Sequence, residues 1–264
     1  MKKLLVVYKE IGQTPLEAVT EFKKKNKEYG NEKISYAGRL DPMAEGVLLL
    51  LVGAENKERE KYLDLNKEYE SEIVLGIETD TFDALGLIKK VNLEVKNPRD
   101  EIEKCLETFL GKSSQSYPPY SSRTVGGKPL YWWARENRLS EIEIPKKEIE
   151  IYRLEIIGAA KISGRKLKEV IIRRVKSVNG DFRQGLIEKT WESFEKSNKD
   201  YEFDVLKIKV SCSSGTYVRR LASDIGKKLG VGAFCLSIKR TSVGNFTLSM
   251  EALAEKSYHL DPQK

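Results

Sequence analysis

The stretch from Ala37 to Gly53, A-G-R-L-D-P-M-A-E-G-V-L-L-L-L-V-G, sets one acid in a short turn and then enters an unbroken apolar run. Val47 to Val52 reads as a buried strand. Gly38, Pro42 and Gly46 bracket Asp41 and constrain the backbone on both sides, so its carboxylate is held in place. On local spacing alone, an Asp-Pro pair is an ordinary turn or helix-cap device.

With 264 residues the chain can bury a substantial core, and one elaborated domain is expected over residues 1–264. Its 47 Lys and Arg against 40 Asp and Glu give a net charge of +7, which favours a polyanionic partner. A chain that is 33% charged also suits any well-solvated surface. Cys105, Cys212 and Cys235 are odd in number and sit among apolar residues, so they read as reduced core thiols. His259 is the only histidine, which disfavours zinc and a catalytic imidazole. A phosphate-binding glycine loop is also missing, so no cofactor and no metal are expected. The amino end has too short an apolar core for a secretion signal, and no segment reaches a membrane span; a cytoplasmic location is the expectation.

In chain order, Leu4 to Tyr8 reads as a strand that turns at Gly12. Thr14 and Glu17 then form a capping box, with Pro15 at the first helical position and Leu16, Val19 and Phe22 as the buried face. Glu55 to Leu65 reads as a charged helix. Residues 67–77 alternate as a strand that places Tyr69 and Ile73 on one face, and the cluster from Thr79 to Gly86 is a hairpin-type turn. Asn97 and Pro98 open a helix carrying Ile102, Cys105, Leu106 and Phe109. Two consecutive prolines, Pro118 and Pro119, enforce an extended segment, and Lys128 and Tyr131 open a helix through Arg135. Trp132 and Trp133 cannot both face the core of one helix, so one is expected at an edge.

Ile149 to Ile157 alternates as a strand. Residues 161–201 read as an insertion: a basic strand-like run from Arg165 to Lys176, a turn at Asn179 and Gly180, and a helix striped by Ile187, Trp191 and Phe194. Its basic face is a candidate for RNA contact or simple solvation. Phe203 to Cys212 is a long strand, Thr216 a helix cap, and Leu221, Ala222, Ile225 and Leu229 the buried face of the next helix. A short helix is expected from Met250. The pattern as a whole supports α+β.

Three of these stretches carry a resemblance. G-R-L-D-P-M-A-E-G-V-L resembles the G-x-L-D-P-x-A-x-G-x-L signature of TruB-type transfer-RNA pseudouridine synthases. Residues 67–86 resemble that family's K-x-Y-x-x-x-x-x-L-G-x-x-T-D-T-x-D-x-x-G without a gap. The segment from Cys212 to Gly230 resembles C-S-x-G-T-Y-I-R-x-L-A-x-D-I-G-x-x-L-G. Weaker matches are Lys9 to Pro15, Gln115 to Tyr131, and Leu236 to Phe246. They depart from the family where Glu10 and Pro15 replace Pro and Ser, where Thr124 stands for a lysine, and where Ile238 and Lys239 replace Leu and Arg.

The resemblance implies a pseudouridine synthase fold: a long, mixed, mainly antiparallel central sheet flanked by helices, with a basic RNA-binding cleft. It implies isomerisation of uridine in the T arm of transfer RNA, usually at position 55, without an obligatory protein partner; the sequence after the helix expected from Met250 is too short for the PUA-type domain that many relatives append, so none is expected. Asp41 is implied as the essential residue, either as nucleophile at C1′ or as base in a glycal route. A carboxylate with an ordinary pKa near ~4 needs no histidine to activate it. Arg219 is implied as the cation that keeps the acid charged, and Tyr69 as the ring stacking on the flipped uracil and taking the C5 proton. Tyr217 and Ile238 are implied as pocket wall, and Lys9 and Lys128 as substrate contacts. Tyr36 replaces a histidine that helps hold the opened RNA loop, and an aromatic ring can stack there. Two alternatives stand beside this reading: an RNA-binding and folding module without catalysis, and a pseudouridine synthase acting on another RNA, including the guide-dependent dyskerin type.

Overall fold

The computed structural model describes residues 3–94 and 98–248. Its centre is one mixed sheet in which β1 (Leu4–Lys9) and β2 (Ile34–Ala37) both pair with β3 (Ala44–Val52). The sheet continues through β12 (Ala233–Val243), β4 (Lys67–Leu75), β11 (Glu202–Cys212), β10 (Lys146–Ser163) and β7 (Gly111–Ser116). Among the described residues of this sheet only β3 and β12 run parallel; the other pairs are antiparallel. Two short hairpins lie outside it, β5 (Ile77–Thr79) with β6 (Ile88–Val91) and β8 (Thr124–Val125) with β9 (Lys128–Pro129).

The apolar run from Val47 to Val52 explains the position of β3. Leu48, Leu50 and Val52 point into one cluster with Ala18, Val19 and Phe22 of α1 (Pro15–Lys25). Val47, Leu49 and Leu51 point into another with Tyr62 of α2 (Arg59–Leu63) and Val243. A strand covered on both faces has no use for alternating polar residues. The capping box of α1 forms as expected, but Leu16 is 66% exposed. The box fixes the helix start so that Pro15, Ala18, Val19 and Phe22 share the inner face, one position off the expected stripe.

The larger core lies on β4, β11 and β12, under α3 (Arg99–Glu107), α5 (Gly164–Ser177), α6 (Gln184–Asn198) and α7 (Val218–Lys228). Here the strand expected over 165–176 is overturned: those residues form α5. The β-branched run at Val170 to Ile172 suggested a strand, yet Leu167, Ile171 and Val175 recur every fourth residue and all are buried. Ser163 caps the helix by accepting from Lys166 N at 3.3 Å. Ile187, Trp191 and Phe194 do form the inner stripe of α6, with Trp191 against Phe234. The three cysteines are free and buried.

Other element ends differ. Pro98 sits at the N-cap of α3 without a side-chain cap bond, and Asn97 lies outside the described residues, as do the helix expected from Met250 and His259. Thr216 does not cap α7; its hydroxyl donates to Ser213 O at 3.0 Å, and Tyr217 holds the cap position. Trp132 and Trp133, on α4 (Leu130–Arg135), are both half-buried and meet edge to face at 5.0 Å.

Gly46 marks where β3 and β12 touch most closely. At φ +111° an added Cβ would lie 2.2 Å from the backbone oxygen of Arg240, so a side chain meets both backbone strain and a clash. Gly46→Ala is expected to destabilise the fold by about 3 kcal/mol or more, read as a drop in the urea midpoint. A midpoint within error of wild type would contradict this packing.

Candidate active site

Sheet register brings the distant motifs together. The parallel contact of β3 with β12 sets Ala44 opposite Ile238 and Gly46 opposite Arg240, while β4 sets Tyr69 opposite Arg240 from the other side. The turn carrying Asp41 therefore opens beside Ile238 and Tyr69. At this same end of β4 Lys67 pairs with Cys212, and the chain leaves β11 there for the first turn of α7, which carries Arg219. Gln115 of β7 fixes that turn: its Oε1 accepts from Tyr217 N at 2.8 Å and its Nε2 donates to Tyr217 O at 3.2 Å.

Arg219 Nε donates to Asp41 Oδ2 at 2.7 Å. The guanidinium side chain is 3% exposed and the carboxylate 37%, so the cation lies under the acid and the acid faces solvent. Nη1 donates to Thr81 O at 2.9 Å and Nη2 to Tyr120 O at 3.1 Å, and Asp83 Oδ2 lies 3.6 Å from Nε. Burial works against the Arg219 charge, but Asp41 and Asp83 outweigh it and hold its pKa above the usual value.

A cavity of about 450 Å³ opens above this pair. Tyr69, Tyr217 and Ile238 wall it, and Arg39, Arg59 and Lys147 stand among its lining, which makes it a basic cleft. Burial raises the Tyr69 phenol, with Arg240 opposing, and burial with the nearby Asp41 pushes Tyr217 up to about 12. Both rings are thus neutral near pH 7. Tyr117 packs edge-on against Tyr217 at 5.6 Å.

Three expected contacts lie elsewhere. Lys9 is fully buried; its Nζ donates to Ala44 O at 2.6 Å and Glu10 O at 3.0 Å, and burial lowers it to about 8. It supports the Asp41 turn from beneath and does not reach the cleft surface. Lys128 is exposed on the β8–β9 hairpin, 5.4 Å from the Trp132 ring, and is not among the residues walling the cavity. Tyr36 is half-buried on β2 against the α1 cluster, and likewise does not line it.

Sequence reasoning assigned no role to Asp83, Gln115 or Arg240. Arg240 is fully buried and donates to Val47 O at 2.8 Å, Gly38 O at 3.1 Å and Arg39 O at 3.4 Å, tying the Asp41 turn to β12. Asp83 takes hydrogen bonds from Thr81 Oγ1 at 2.7 Å and Leu85 N at 2.9 Å. Arg240 stands among Ser237, Lys239, Thr241 and Ser242 and gave no local signal, while for Asp83 the signal was a second acid in a turn already rich in polar groups.

Burial pushes Asp83 up to about 6, with Arg219 opposing and Asp41 adding to the rise. Because the folded value exceeds the unfolded one, ionising Asp83 costs stability progressively from about pH 4 to 6, and fully above that. Asp83→Asn removes the cost. The stability of the variant relative to wild type is expected to improve by about 2–3 kcal/mol between pH 4 and 7, measured by urea denaturation. A difference that stays flat across the window would contradict the buried, raised carboxyl.

Among the described residues no group of three or more His, Cys, Asp or Glu is placed to hold a metal ion, and no helix is long and apolar enough to cross a membrane.

The fold is shared with solved structures. A chain in the crystal structure of a Cbf5-Nop10-Gar1 complex superposes with a TM-score of 0.58 at 19% identity, over 96% of this chain and 54% of that one. A chain from an H/ACA RNP bound to a substrate RNA containing 2′-deoxyuridine gives 0.54 at 19% identity, over 94% and 49%. Residues 25–177 match the family described as TruB family pseudouridylate synthase (N terminal domain). The chain is 34% identical over 235 residues to tRNA pseudouridine synthase B of Francisella tularensis subsp. tularensis (strain WY96-3418), covering 87% of this chain and 63% of that protein. With tRNA pseudouridine synthase B of Bacillus pumilus (strain SAFR-032) the identity is 35% over 247 residues, 93% and 66% of the two chains. The chain therefore belongs to the TruB family of pseudouridylate synthases. It spans a little under two thirds of the length of these relatives.

Proposed function

We propose that this chain isomerises uridine to pseudouridine in the T arm of transfer RNA, at position 55, with Asp41 acting at the ribose. The observation that carries the reading is the Asp41–Arg219 pair at the floor of a basic cleft walled by two neutral tyrosines and an isoleucine.

The reaction breaks the N1–C1′ bond, turns the base and joins C5 to the same C1′; the C5 proton leaves and N1 gains one, so nothing is consumed. What the protein must supply is a carboxylate at the sugar, a dry wall for the loose base and room for it to rotate. Arg219 stabilises the charged carboxylate from below while its own Nη atoms stay on two backbone carbonyls, which fixes the carboxylate's direction. Either oxygen chemistry, attack on C1′ or removal of the 2′ proton, uses the same half-exposed acid. The Tyr69 ring offers a face for stacking. The target nucleotide must leave its stem-loop to reach this depth, and the cations at the rim are placed to hold phosphates on either side of it.

The test is incubation of the purified chain with an unmodified transfer-RNA transcript, followed by carbodiimide mapping. A new stop at the T-loop uridine is expected. A map identical to that of untreated RNA would rule the proposal out, and a stop at another uridine would revise its substrate.

A further inference from the structure

On the far side of Asp41 and Arg219 lies a second cavity of about 400 Å³, into which the turn between α5 and α6 projects Phe182 and Arg183. This turn lies just past residues 25–177, the stretch that matches the family's N-terminal domain. Arg183 Nη1 donates to Asp80 Oδ2 at 2.7 Å and to the Tyr120 hydroxyl at 2.6 Å, and Nη2 donates to Asp80 Oδ1 at 3.1 Å. Its guanidinium carbon sits 4.2 Å from the centre of the Tyr120 ring. Both Arg183 and Asp80 side chains are 15% exposed. Asp80 Oδ1 also accepts from Leu87 N at 2.8 Å, which closes the turn between β5 and β6.

Two facts give this contact a consequence. Asp80 is the neighbour of Thr81, and Tyr120 is the other residue whose backbone oxygen holds Arg219. One guanidinium thus grips the side chains that set both carbonyl acceptors of another. The grip is also over-determined. Arg183 has φ +62°, a left-handed conformation that a long side chain adopts only when its surroundings impose it. Asp181 imposes it, accepting from Arg183 N at 3.1 Å through Oδ1 and from Arg135 Nη1 at 2.9 Å through Oδ2.

We propose that Arg183 is a positioning residue for the Asp41–Arg219 pair, through which the α5–α6 helix pair braces the active site from behind. It acts through Asp80 and Tyr120 on the carbonyls of Thr81 and Tyr120, and through them on the direction of the Arg219 guanidinium. Its charge is already taken up bidentately by Asp80, which sets it apart from a ligand for RNA phosphate.

Arg183→Ala and Arg183→Lys are compared with wild type and with Lys196→Ala, an exposed change on α6. The kinetic readout rests on the proposed function: single-turnover pseudouridine formation on a T-arm RNA, with the Kd measured separately. Arg183→Ala is expected to slow the step about 30- to 100-fold, the scale of a misplaced reacting group. Arg183→Lys should slow it about tenfold, since an ammonium cannot reproduce the fork. In both, Kd stays within about twofold, because no phosphate contact is lost. The second readout needs no activity: hydrogen exchange of residues 79–87 and 118–121 should quicken about tenfold in Arg183→Ala, a local loosening with the buried turns of α7 unchanged. Lys196→Ala should alter neither.

Unchanged rate with unchanged exchange overturns the proposal. So does an unchanged rate with weaker binding and a salt slope reduced by about one, which would make Arg183 a phosphate contact. If wild type forms no pseudouridine, the functional reading fails by itself and exchange decides: unaltered protection over 79–87 then overturns the brace. Should Arg183→Ala not fold, Arg183→Lys carries both readouts.

Discussion

Asp41→Asn is expected to lower the single-turnover rate of pseudouridine formation by roughly 10⁴-fold or more while leaving RNA affinity within about threefold. The asparagine keeps the shape of the turn, whose backbone is fixed by the Ala44 N to Asp41 O bond at 2.9 Å and the Gly12 N to Pro42 O bond at 2.8 Å. What it removes is the anion, and neither attack on C1′ nor removal of a sugar proton is open to a carboxamide. Affinity depends on phosphates and stacking, which the substitution does not touch. Parallel loss of binding and rate would mean that Asp41 shapes the cleft and does not act in it.

Arg219→Met is expected to cost about 3–5 kcal/mol of stability in addition to activity, because removing one partner of a buried ion pair strands the other. The stranded groups are specific: Asp83 is buried, and the oxygens of Thr81 and Tyr120 lose their donors. The loss should shrink when Asp83→Asn is added, since one uncompensated charge is then gone. Arg219→Lys should fold better than the Met variant yet remain impaired, as one ammonium cannot serve Asp41 and two diverging carbonyls at once. Urea denaturation of the single and double variants at pH 7 measures this, and additive losses would show that Arg219 and Asp83 do not interact.

Much of the site could be read from residue order because its strands have strong local signals. The run Val47 to Val52 reads as a buried strand, and the alternation of 67–77 put Tyr69 and Ile73 on one face, both buried in β4. Those strands bring Asp41 and Tyr69 to one cavity, where Ile238 arrives on β12 and Arg219 from the first turn of α7. The failures share a physical origin in long-range contact. Lys9 was expected as a substrate contact because nothing near it in sequence says that Ala44 O will sit over its ammonium. Residues 165–176 hold basic and β-branched side chains in a mixture that suits either period, and the sheet beneath them chose the helix. Asp80 and Arg183 are 103 positions apart, and no local pattern joins them.

The most direct test of a lone acid isomerising uridine is tritium release from a transfer-RNA transcript labelled at uridine C5, using dialysed, chelator-treated protein in plain buffer. One tritium released per RNA is expected with wild type and none above background with Asp41→Asn. No release from wild type, or release undiminished in the variant, would contradict it.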